Sequence, residues 1–303
     1  MIDFRRLDLS RKAEYDAILR SCGERGCEYS FANLFLWGRQ TAAFHDGCLV
    51  FFSHFNGRSV YPFPVGPGDL KGAVDAVLED ARQRGIPCRL TSLTPGDLAL
   101  LEQWYPGRFV SRCDRSGFDY VYAIDDLADL KGRKFQQKRN HLHRFEDACP
   151  DWHCRVLDEA TLPMARNLMD NWFYRQQTEN PHEDFQMEKA AIRRALEHFH
   201  ALELEGLLLM AGGEPVAVTM GSPLSDTIFD VHFEKAREDV PGAYNAINRE
   251  FARYLRDRYP RLQYLNREDD LGLAGLRKSK LSYCPHHLVE KCWAHLREDG
   301  YVD

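Results

Sequence analysis

Apolar and polar positions alternate along this chain in short runs, and each run predicts one helix or one strand. Within residues 42–55, two apolar stretches flank Asp46 and Gly47, a pair that favours the two-residue turn of a β-hairpin. Over residues 69–84 the apolar positions recur with helical spacing and predict an amphipathic helix. No apolar run approaches the roughly 20 residues that cross a bilayer. The pattern predicts a globular chain of mixed helices and strands.

The second half of the chain gives the clearest order of elements. The predicted elements are a strand (152–157), two helices (162–177 and 183–200), three strands (206–211, 215–222 and 226–234), a helix (241–258), a strand (262–265), a helix (271–280) and a strand (287–293). This order resembles that of a GNAT-type acyltransferase domain, and the first half resembles a looser version of it. We therefore expect an α+β fold with two tandem GNAT-like domains, each a mixed, mainly antiparallel sheet flanked by helices.

The predicted domain boundaries follow from this order. Residues 1–127 form an N-terminal domain, residues 128–148 a basic connecting helix, and residues 149–303 a C-terminal domain. The N-terminal domain has less clustered charge, so we expect it to be structural and the C-terminal domain to carry the active site.

Charge, cysteine content and the absence of known motifs limit which binding partners and activities are expected. The net charge of −6 gives no bulk attraction to nucleic acid or anionic membrane, although a local basic patch can still act. Nine scattered cysteines fit reduced thiols better than a disulfide framework. The N-terminus has no apolar signal segment, so the expected location is the cytoplasm. Phosphate-binding loops of the Walker type, dinucleotide fingerprints, nucleophile elbows and HExxH helices are absent from the sequence.

The basic segment 131–145 is the first candidate site. Lys134, Lys138 and His141 have the spacing of one helical face. Like charges stacked in this way favour an anionic counterpart, such as the phosphates of a donor substrate. The residues predicted to bind that donor are Lys134, Lys138, Arg139, Asn140 and Arg144. The alternative is a solvated basic face whose charges pair with acids of the same fold.

The strand that ends at Glu234 is the second candidate. Strand periodicity places Asp230, His232 and Glu234 on one face. A carboxylate or imidazole there could accept a proton from an attacking amine or hydroxyl, so His232 and Glu234 are predicted catalytic residues. The alternative is an ordinary half-exposed strand.

The helix predicted over 241–258 is the third. Tyr244 begins its expected buried stripe, and Asn245 and Asn248 face elsewhere. All three are predicted substrate-binding residues, although asparagines also bond to local backbone. Gly242 is the one glycine in the loop before this helix, which makes a standard acyl-CoA pyrophosphate loop doubtful.

Dense mixed charge after the strand 262–265 is the fourth candidate, since open α/β sheets place ligand sites at strand ends. Asp270 and Arg277 are predicted catalytic residues. Four further residues are predicted to bind substrate: Asn266, Glu268, Asp269 and Tyr283. Lys278 and Lys280 are predicted to bind the phosphates of the donor. The alternatives are a carboxylate that caps the helix and bases that complement its dipole. No metal site is predicted, because Cys284, His286 and His287 match no standard zinc spacing.

These motifs together carry a family resemblance. The segments that carry it are 29–37, 134–145, the helix with Tyr244 and Asn245, 266–272 and 276–283. They resemble the stand-alone, soluble relatives of the phosphatidylglycerol lysyltransferase catalytic domain, and the resemblance covers essentially the whole chain. It implies a tandem GNAT fold. In the membrane-bound relatives this domain transfers an aminoacyl group from a charged tRNA to a lipid hydroxyl.

The expected function is therefore that of an acyltransferase. Aminoacyl-tRNA is the expected donor substrate, acyl-CoA the alternative donor, and no covalently bound cofactor is expected. The acceptor would be an amine or hydroxyl of a small molecule, peptide or lipid headgroup. Glu234, His232 or Asp270 would relay the proton, and Arg277 and Lys280 would stabilise the oxyanion or the donor phosphates. Two alternatives stay open: a CoA-dependent N-acetyltransferase and a non-catalytic sensor of the same fold.

Overall fold

The fold was analysed in a computed structural model that describes residues 1–55, 57–180, 182 and 184–299. The described residues form fourteen strands: β1 (Arg5–Arg6), β2 (Gln40–His45), β3 (Cys48–Phe55), β4 (Arg58–Pro62), β5 (Arg89–Leu93), β6 (Phe109–Cys113), β7 (Asp119–Ala123), β8 (His153–Val156), β9 (Glu205–Ala211), β10 (Glu214–Pro223), β11 (Ile228–Ala236), β12 (Tyr264–Asn266), β13 (His287–Val289) and β14 (Cys292–Leu296).

Ten α-helices complete the described part of the chain: α1 (Lys12–Leu19), α2 (Phe31–Trp37), α3 (Leu70–Arg84), α4 (Pro95–Trp104), α5 (Ile124–Asp129), α6 (Gln136–Ala148), α7 (Leu162–Glu179), α8 (Gln186–Glu197), α9 (Ala243–Arg258) and α10 (Ala274–Leu281). Residue 183, the predicted start of the second helix in the C-terminal half, lies outside the described residues. None of these helices is both long and apolar enough to span a lipid bilayer.

The chain divides into two compact units. The first comprises Met1–Asp119, Asp269–Arg277 and Leu288–Asp303, of which residues 300–303 lie outside the described part. The second comprises Tyr120–Glu268 and Lys278–His287. This division differs from the predicted one, which assigned all of 149–303 to a second domain and 128–148 to a connector. The chain returns to the first unit because β14 inserts between β5 and β6, and α6 of the basic segment belongs to the second unit.

The first unit is built on a seven-stranded sheet in the order β1-β2-β3-β4-β5-β14-β6. The predicted turn between β2 and β3 is confirmed: Asp46 and Gly47 have φ of 45° and 81°, the positive values that a tight hairpin turn requires. Helix α3 begins at the N-cap Asp69 and ends at the left-handed Gly85. Its buried face, including Val74 and Val77, packs into the core of this unit.

One cysteine pair contradicts the prediction that all thiols are reduced. Cys113 on β6 and Cys292 on β14 face each other directly in the antiparallel ladder and form a disulfide. Their Cα atoms are 4.1 Å apart. Sequence spacing could not reveal this pair, because 179 positions separate the two residues and only the insertion of β14 brings them together.

The second unit is built on a sheet in the order β13-β7-β12-β11-β10-β9-β8. The predicted run of three antiparallel strands is confirmed as β9, β10 and β11. Strand β11 is buried on both faces, not half-exposed, because α7 and α9 pack against this part of the sheet. In α9, Ile247, Phe251 and Leu255 are buried as predicted, but Tyr244 is 37% exposed.

Two predicted helices begin later than expected. Gly242 has a left-handed φ of 87°, so α9 starts at Ala243 and not at residue 241. Leu271 and Gly272 also have positive φ, and α10 starts at Ala274. In both places a turn occupies the positions that the sequence pattern assigned to the first helical turn.

Strands β11 and β12 run parallel, but only briefly. Their pairing extends from Ile228 opposite Tyr264 to Asp230 opposite Asn266. Beyond this point β11 continues to Ala236 beside β10, while the chain after β12 turns away. The two strands therefore part and leave polar side chains at the opening.

A close approach between β10 and β11 fixes the position of this opening. A register shift lies between Met220 and Gly221, and a Cβ atom added at Gly221 would lie 2.0 Å from the carbonyl oxygen of Asp230. Gly221 thus allows the backbone of β11 to approach β10 at Asp230, the first of the polar residues Asp230, His232 and Glu234.

We predict that Gly221→Ala lowers the free energy of unfolding by about 2 kcal/mol, because the added methyl group forces the two strands apart. The matched control is Gly275→Ala in α10, where no atom lies within 4 Å of the added Cβ. That change should be neutral or stabilising. Urea unfolding measures both, and equal stabilities of the two variants would contradict the close-packing account.

Candidate functional site

Polar side chains of the second unit converge where β11 and β12 part. Strand β11 contributes Asp230, His232 and Glu234, and the segment after β12 contributes Arg267 and Glu268. Where parallel strands stop pairing, side chains of both strands can meet between them. The structure therefore brings His232 together with Glu268. It also pairs Glu234 with Arg267, a residue that was not among the predicted site residues.

His232 is the centre of a buried hydrogen-bonded group. Its Nδ1 lies 3.3 Å from Oδ2 of Asp230 and 3.5 Å from Oε1 of Glu268. Its Nε2 lies 2.9 Å from the hydroxyl of Ser222 on β10. Burial disfavours the imidazolium, but the two carboxylates outweigh it and raise the pKa of His232 to about 9. At neutral pH the ring is therefore a cation, which can donate a proton but cannot accept one.

Glu234 is held in an ion pair. It accepts a hydrogen bond of 2.8 Å from the guanidinium of Arg267, and the amide of Asn248 lies 3.4 Å from its other oxygen. Burial disfavours the Arg267 cation, but Glu234 outweighs this and raises the pKa of Arg267. A carboxylate in such a pair is engaged, which does not favour Glu234 as the base.

Lys138 lies beside this ion pair. Its Nζ is 3.5 Å from the ring centroid of Tyr283, and the Arg267 guanidinium lies 5.2 Å from the same ring. Burial, followed by the charge of Arg267, lowers the pKa of Lys138 to about 8. Asn245 holds Tyr283 in place by donating a 2.8 Å hydrogen bond to its hydroxyl. The predicted residues Lys138, Tyr283 and Asn245 thus meet as one cluster with Arg267.

Two further predicted residues support the backbone of the opening. Lys280 donates to the carbonyl oxygens of Arg267 and Glu268, and Oδ1 of Asn266 accepts a 2.7 Å hydrogen bond from the amide of Glu268. Both hold the turn after β12 in place. The prediction that Lys280 binds phosphates or an oxyanion does not fit these contacts, because its ammonium is occupied by carbonyl groups.

The rest of the predicted donor-binding surface is largely structural. Lys134 belongs to a short 3₁₀ turn before α6 and pairs with Asp126 at 2.7 Å, so it does not share a helical face with Lys138. Arg139 donates to the carbonyl oxygens of Leu130 and Gly132. Asn140 accepts from Gln136. Arg144 and Lys278 are exposed.

The predicted acids and arginine of segment 269–277 belong to the first unit. Arg277 donates two hydrogen bonds, of 2.7 and 2.9 Å, to the fully buried carboxylate of Asp270. Arg115 and the amide of Gly272 donate to the same carboxylate. Asp270 is therefore saturated with donors, which is unsuitable for a proton relay, and Arg277 is engaged by it. These contacts favour a structural role for both residues over the predicted catalytic one.

Asp269 belongs to another cluster of the first unit. Its carboxylate lies 4.0 Å from Nζ of Lys291, which also contacts Asp119 at 2.6 Å and Glu28 at 3.2 Å. Cys27, Glu28 and Asp119 have the chemistry and spacing of metal ligands. The Lys291 ammonium already supplies their counter-charge, which disfavours a metal ion at this position.

A cavity of about 830 Å³ opens in the second unit between α7, the start of β10 and the segment after β11. Trp172 and Tyr174 line it, together with Glu179, Glu214 and Glu238. The indole of Trp172 also lies 3.8 Å from Nζ of Lys235, the residue next to Glu234. The cavity therefore adjoins the end of β11 and has room for a small molecule.

Two residues of the opening were not predicted from the sequence. Arg267 lies inside the charged run 266–270, and its position directly after a buried strand was the available signal. Ser222 ends the predicted strand 215–222 without any distinguishing pattern. Only the pairing of β10 with β11 brings Ser222 opposite Asp230 and within reach of His232.

Comparisons with known proteins agree with this architecture. The family described as phosphatidylglycerol lysyltransferase, C-terminal, matches residues 19–295. A crystal structure of a conserved protein of unknown function from Bacteroides thetaiotaomicron is 37% identical, with a TM-score of 0.92 over 98% of this chain and 100% of that chain. The structure of L-PGS from Bacillus licheniformis is 16% identical, with a TM-score of 0.71 over 97% and 94% of the two chains.

Two more distant relatives complete the comparison. A tandem GNAT protein from the clavulanic acid biosynthesis pathway is 8% identical, with a TM-score of 0.50 over the full length of both chains. An uncharacterized protein of Mycoplasmoides gallisepticum is 24% identical over 200 residues. That match covers 64% of this chain and 62% of the relative, so the chain spans less than two thirds of the length of that curated protein.

The predicted fold class is confirmed. The two flanked sheets and the likeness to tandem GNAT structures identify two GNAT-like domains with an acyltransferase-type architecture. Since the family match extends over most of the chain, from residue 19 to residue 295, the protein belongs to the phosphatidylglycerol lysyltransferase C-terminal family.

Proposed function

We propose that this protein transfers an aminoacyl group from aminoacyl-tRNA to an amine acceptor, at the opening between β11 and β12. The observation that carries the proposal is Lys138, whose pKa of about 8 is close to physiological pH. An amine with such a pKa is partly neutral under working conditions and can accept a proton. Membership of the phosphatidylglycerol lysyltransferase C-terminal family supports aminoacyl transfer as the reaction class.

The reaction needs no covalent enzyme intermediate. The acceptor nitrogen attacks the ester carbonyl of the donor, a new C–N bond forms, and the C–O bond to the tRNA ribose breaks. The acceptor, bound as an ammonium ion, first releases one proton to solvent and attacks as the neutral amine. Neutral Lys138 then takes the second proton from the attacking nitrogen and returns it to the departing ribose oxygen. The two substrates must be held in line, which the rigid strand ends on either side of the opening can provide.

The surrounding residues keep Lys138 in this state. Arg267 places a permanent positive charge near it, and Glu234 and Asn248 hold that charge in place. Burial is the larger cause of the lowered pKa, and the Tyr283 ring fixes the position of the Lys138 side chain. His232, being a cation at neutral pH, balances the carboxylates of Asp230 and Glu268, and is a positioning residue.

The cavity beside β11 suits the acceptor. Arg175 and Arg237 both pair with Asp239, whereas Glu179 and Glu214 form no ion pair with any described residue. Carboxylates outside ion pairs, in a cavity also lined by Trp172 and Tyr174, favour a cationic amine over a neutral hydroxyl.

Acyl-CoA is less well supported as the donor. The loop before α9 has one glycine, and a Cβ atom at Gly242 would lie 2.5 Å from the carbonyl oxygen of His141 on α6. That glycine is therefore required for packing against α6, which leaves no glycine to bring the loop backbone close to a pyrophosphate.

The direct test is a transfer assay. Purified protein is incubated with ¹⁴C-aminoacyl-tRNAs and a pool of small amines, and in parallel with ¹⁴C-acetyl-CoA. Label that moves from tRNA into an amide product supports the proposal and identifies the amino acid. Transfer from acetyl-CoA alone would replace it with an N-acetyltransferase, and binding without transfer in a complete cell extract would indicate a sensor.

We predict that Lys138→Met lowers kcat by about 10²- to 10³-fold, because the proton acceptor is removed. Lys138→Arg should keep the tRNA KM near the wild-type value but lose a similar factor in kcat, since a guanidinium holds its proton. The control is Lys189→Met, an exposed lysine of α8. A Lys138→Arg enzyme with full kcat would exclude Lys138 as the base.

The pH dependence follows from the same residue. Because the neutral amine is the active form, kcat/KM should rise about tenfold per pH unit below the pKa of about 8 and level off above it. Initial rates between pH 6 and 8.5 measure this. A profile that is flat over that range, or that falls with rising pH, would be inconsistent with the assigned role.

His232 should make stability depend on pH in the opposite direction. Its folded-state pKa of about 9 exceeds the ordinary value of 6.5, so its stabilising contribution is complete below pH 6.5 and lost as pH rises through 9. The wild-type protein should lose on the order of 3 kcal/mol over this window relative to His232→Asn. Urea unfolding gives the free energy of unfolding of both proteins at each pH, and the difference between them cancels the contribution of Lys138. If this difference does not change with pH, His232 is neutral in the folded protein and the prediction is wrong.

A further inference from the structure

The first unit has a concave sheet face that the proposed chemistry does not use. A cavity of about 630 Å³ lies on this face, and its walls come from β2 to β6 and β14. Four arginines line it: Arg39, Arg58, Arg89 and Arg112. Basic side chains are thus concentrated on one face of a protein whose net charge is −6.

Two of these arginines lack acidic partners. Within the described part of the chain, neither Arg58 nor Arg89 forms an ion pair, whereas Arg112 lies 3.8 Å from Asp114. The two other acids that line the cavity, Glu28 and Asp269, face Lys291. The acids of the cavity are therefore engaged elsewhere, and two guanidinium groups remain for an anionic ligand.

The arginines form a row across four strands of the sheet. Arg58 lies on β4, Arg89 on β5 and Arg112 on β6, and β14 separates the last two strands. At roughly 4.8 Å between neighbouring strands, these arginines extend over about 14 Å across the sheet. Such a row matches the successive phosphates of a polyanion.

An aromatic side chain lies within the same row. Trp293 is 47% exposed and directly opposite Arg112 in the ladder between β14 and β6. His295, two positions further on β14, is directly opposite Arg89. An exposed indole between guanidinium groups on a sheet provides a stacking surface for an unpaired base.

We propose that this face of the first unit, defined by Arg58, Arg89, Arg112 and Trp293, binds single-stranded RNA. The guanidinium groups line a cavity and not a flat surface, which favours a single strand over a membrane or a duplex. The choice of tRNA as the probe rests on the proposed function, since tRNA offers unpaired segments in its loops and at its 3′ end. Guanidinium groups bind the phosphates, and Trp293 stacks on a base.

The test measures binding of fluorescein-labelled deacylated tRNA by anisotropy between 50 and 200 mM salt. Arg58→Ala with Arg89→Ala should weaken binding at least tenfold and reduce the slope of log affinity against log salt by about 1.4. The matched control removes two exposed arginines outside the face, Arg6→Ala with Arg166→Ala, and should change affinity less than twofold. Arg58→Lys with Arg89→Lys should restore the slope, which separates charge loss from misfolding.

Trp293→Ala provides an independent readout. It should weaken binding of a 12-nucleotide single-stranded RNA by about fivefold or more and leave the salt slope unchanged, because stacking releases no counterions. Equal weakening by the control pair, or tighter binding to anionic phospholipid vesicles than to RNA, would overturn the inference.

The outcomes also separate this inference from the proposed function. Binding of deacylated tRNA through Arg58 and Arg89, without transfer from any aminoacyl-tRNA, would support the RNA face and reject the transferase. Transfer from aminoacyl-tRNA with an unchanged KM in the Arg58→Ala, Arg89→Ala variant would support the transferase and reject the RNA face.

Discussion

The buried ion pair between Arg267 and Glu234 is the interaction on which the candidate site depends. It joins β11 to the segment after β12 just where the two strands cease to pair. A buried ion pair offers little net stability, because desolvation offsets much of the attraction. Its value here is positional: burial is the main cause of the lowered pKa of Lys138, and the ion pair fixes the position of the second cause, the charge of Arg267.

The charged residues of the chain fall into two classes, according to whether their hydrogen-bonding groups are already occupied by partners. Arg139, Lys280 and Asp270 have their hydrogen-bonding groups occupied by backbone or by ionic partners, and they stabilise turns. Lys138 and the acids of the cavity beside β11 are less completely satisfied. Unsatisfied or pKa-shifted groups in a cleft are the usual sign of a binding site, and this distinction requires three-dimensional partners.

Much of the fold was predictable from local sequence patterns. Asp46 and Gly47 define a hairpin because few other residues adopt positive φ, and the apolar positions of α9 and β9 to β11 follow the correct periodicities. The return of β14 to the first unit was not predictable, since its pairing with β5 and β6 depends on contacts that are about 180 to 200 positions away. The disulfide between Cys113 and Cys292 was missed for the same reason.

The candidate site was predicted in composition but not in roles. His232, Glu234, Lys138, Asn245 and Tyr283 all lie in the second unit. Their protonation was not predictable, because it depends on whether a neighbour is Arg267 or a carboxylate. Two carboxylates raise the pKa of His232, and burial together with the charge of Arg267 lowers the pKa of Lys138.

The ionisation of Lys138 tests this account most directly. Heteronuclear NMR of protein labelled with ¹³Cε-lysine, with the Lys138 resonance assigned from Lys138→Arg, gives its titration midpoint between pH 6 and 11. The account predicts a midpoint of about 8. A midpoint near the ordinary value of about 10.4 would mean that Lys138 is a permanent cation, and the assignment of the proton acceptor would be wrong.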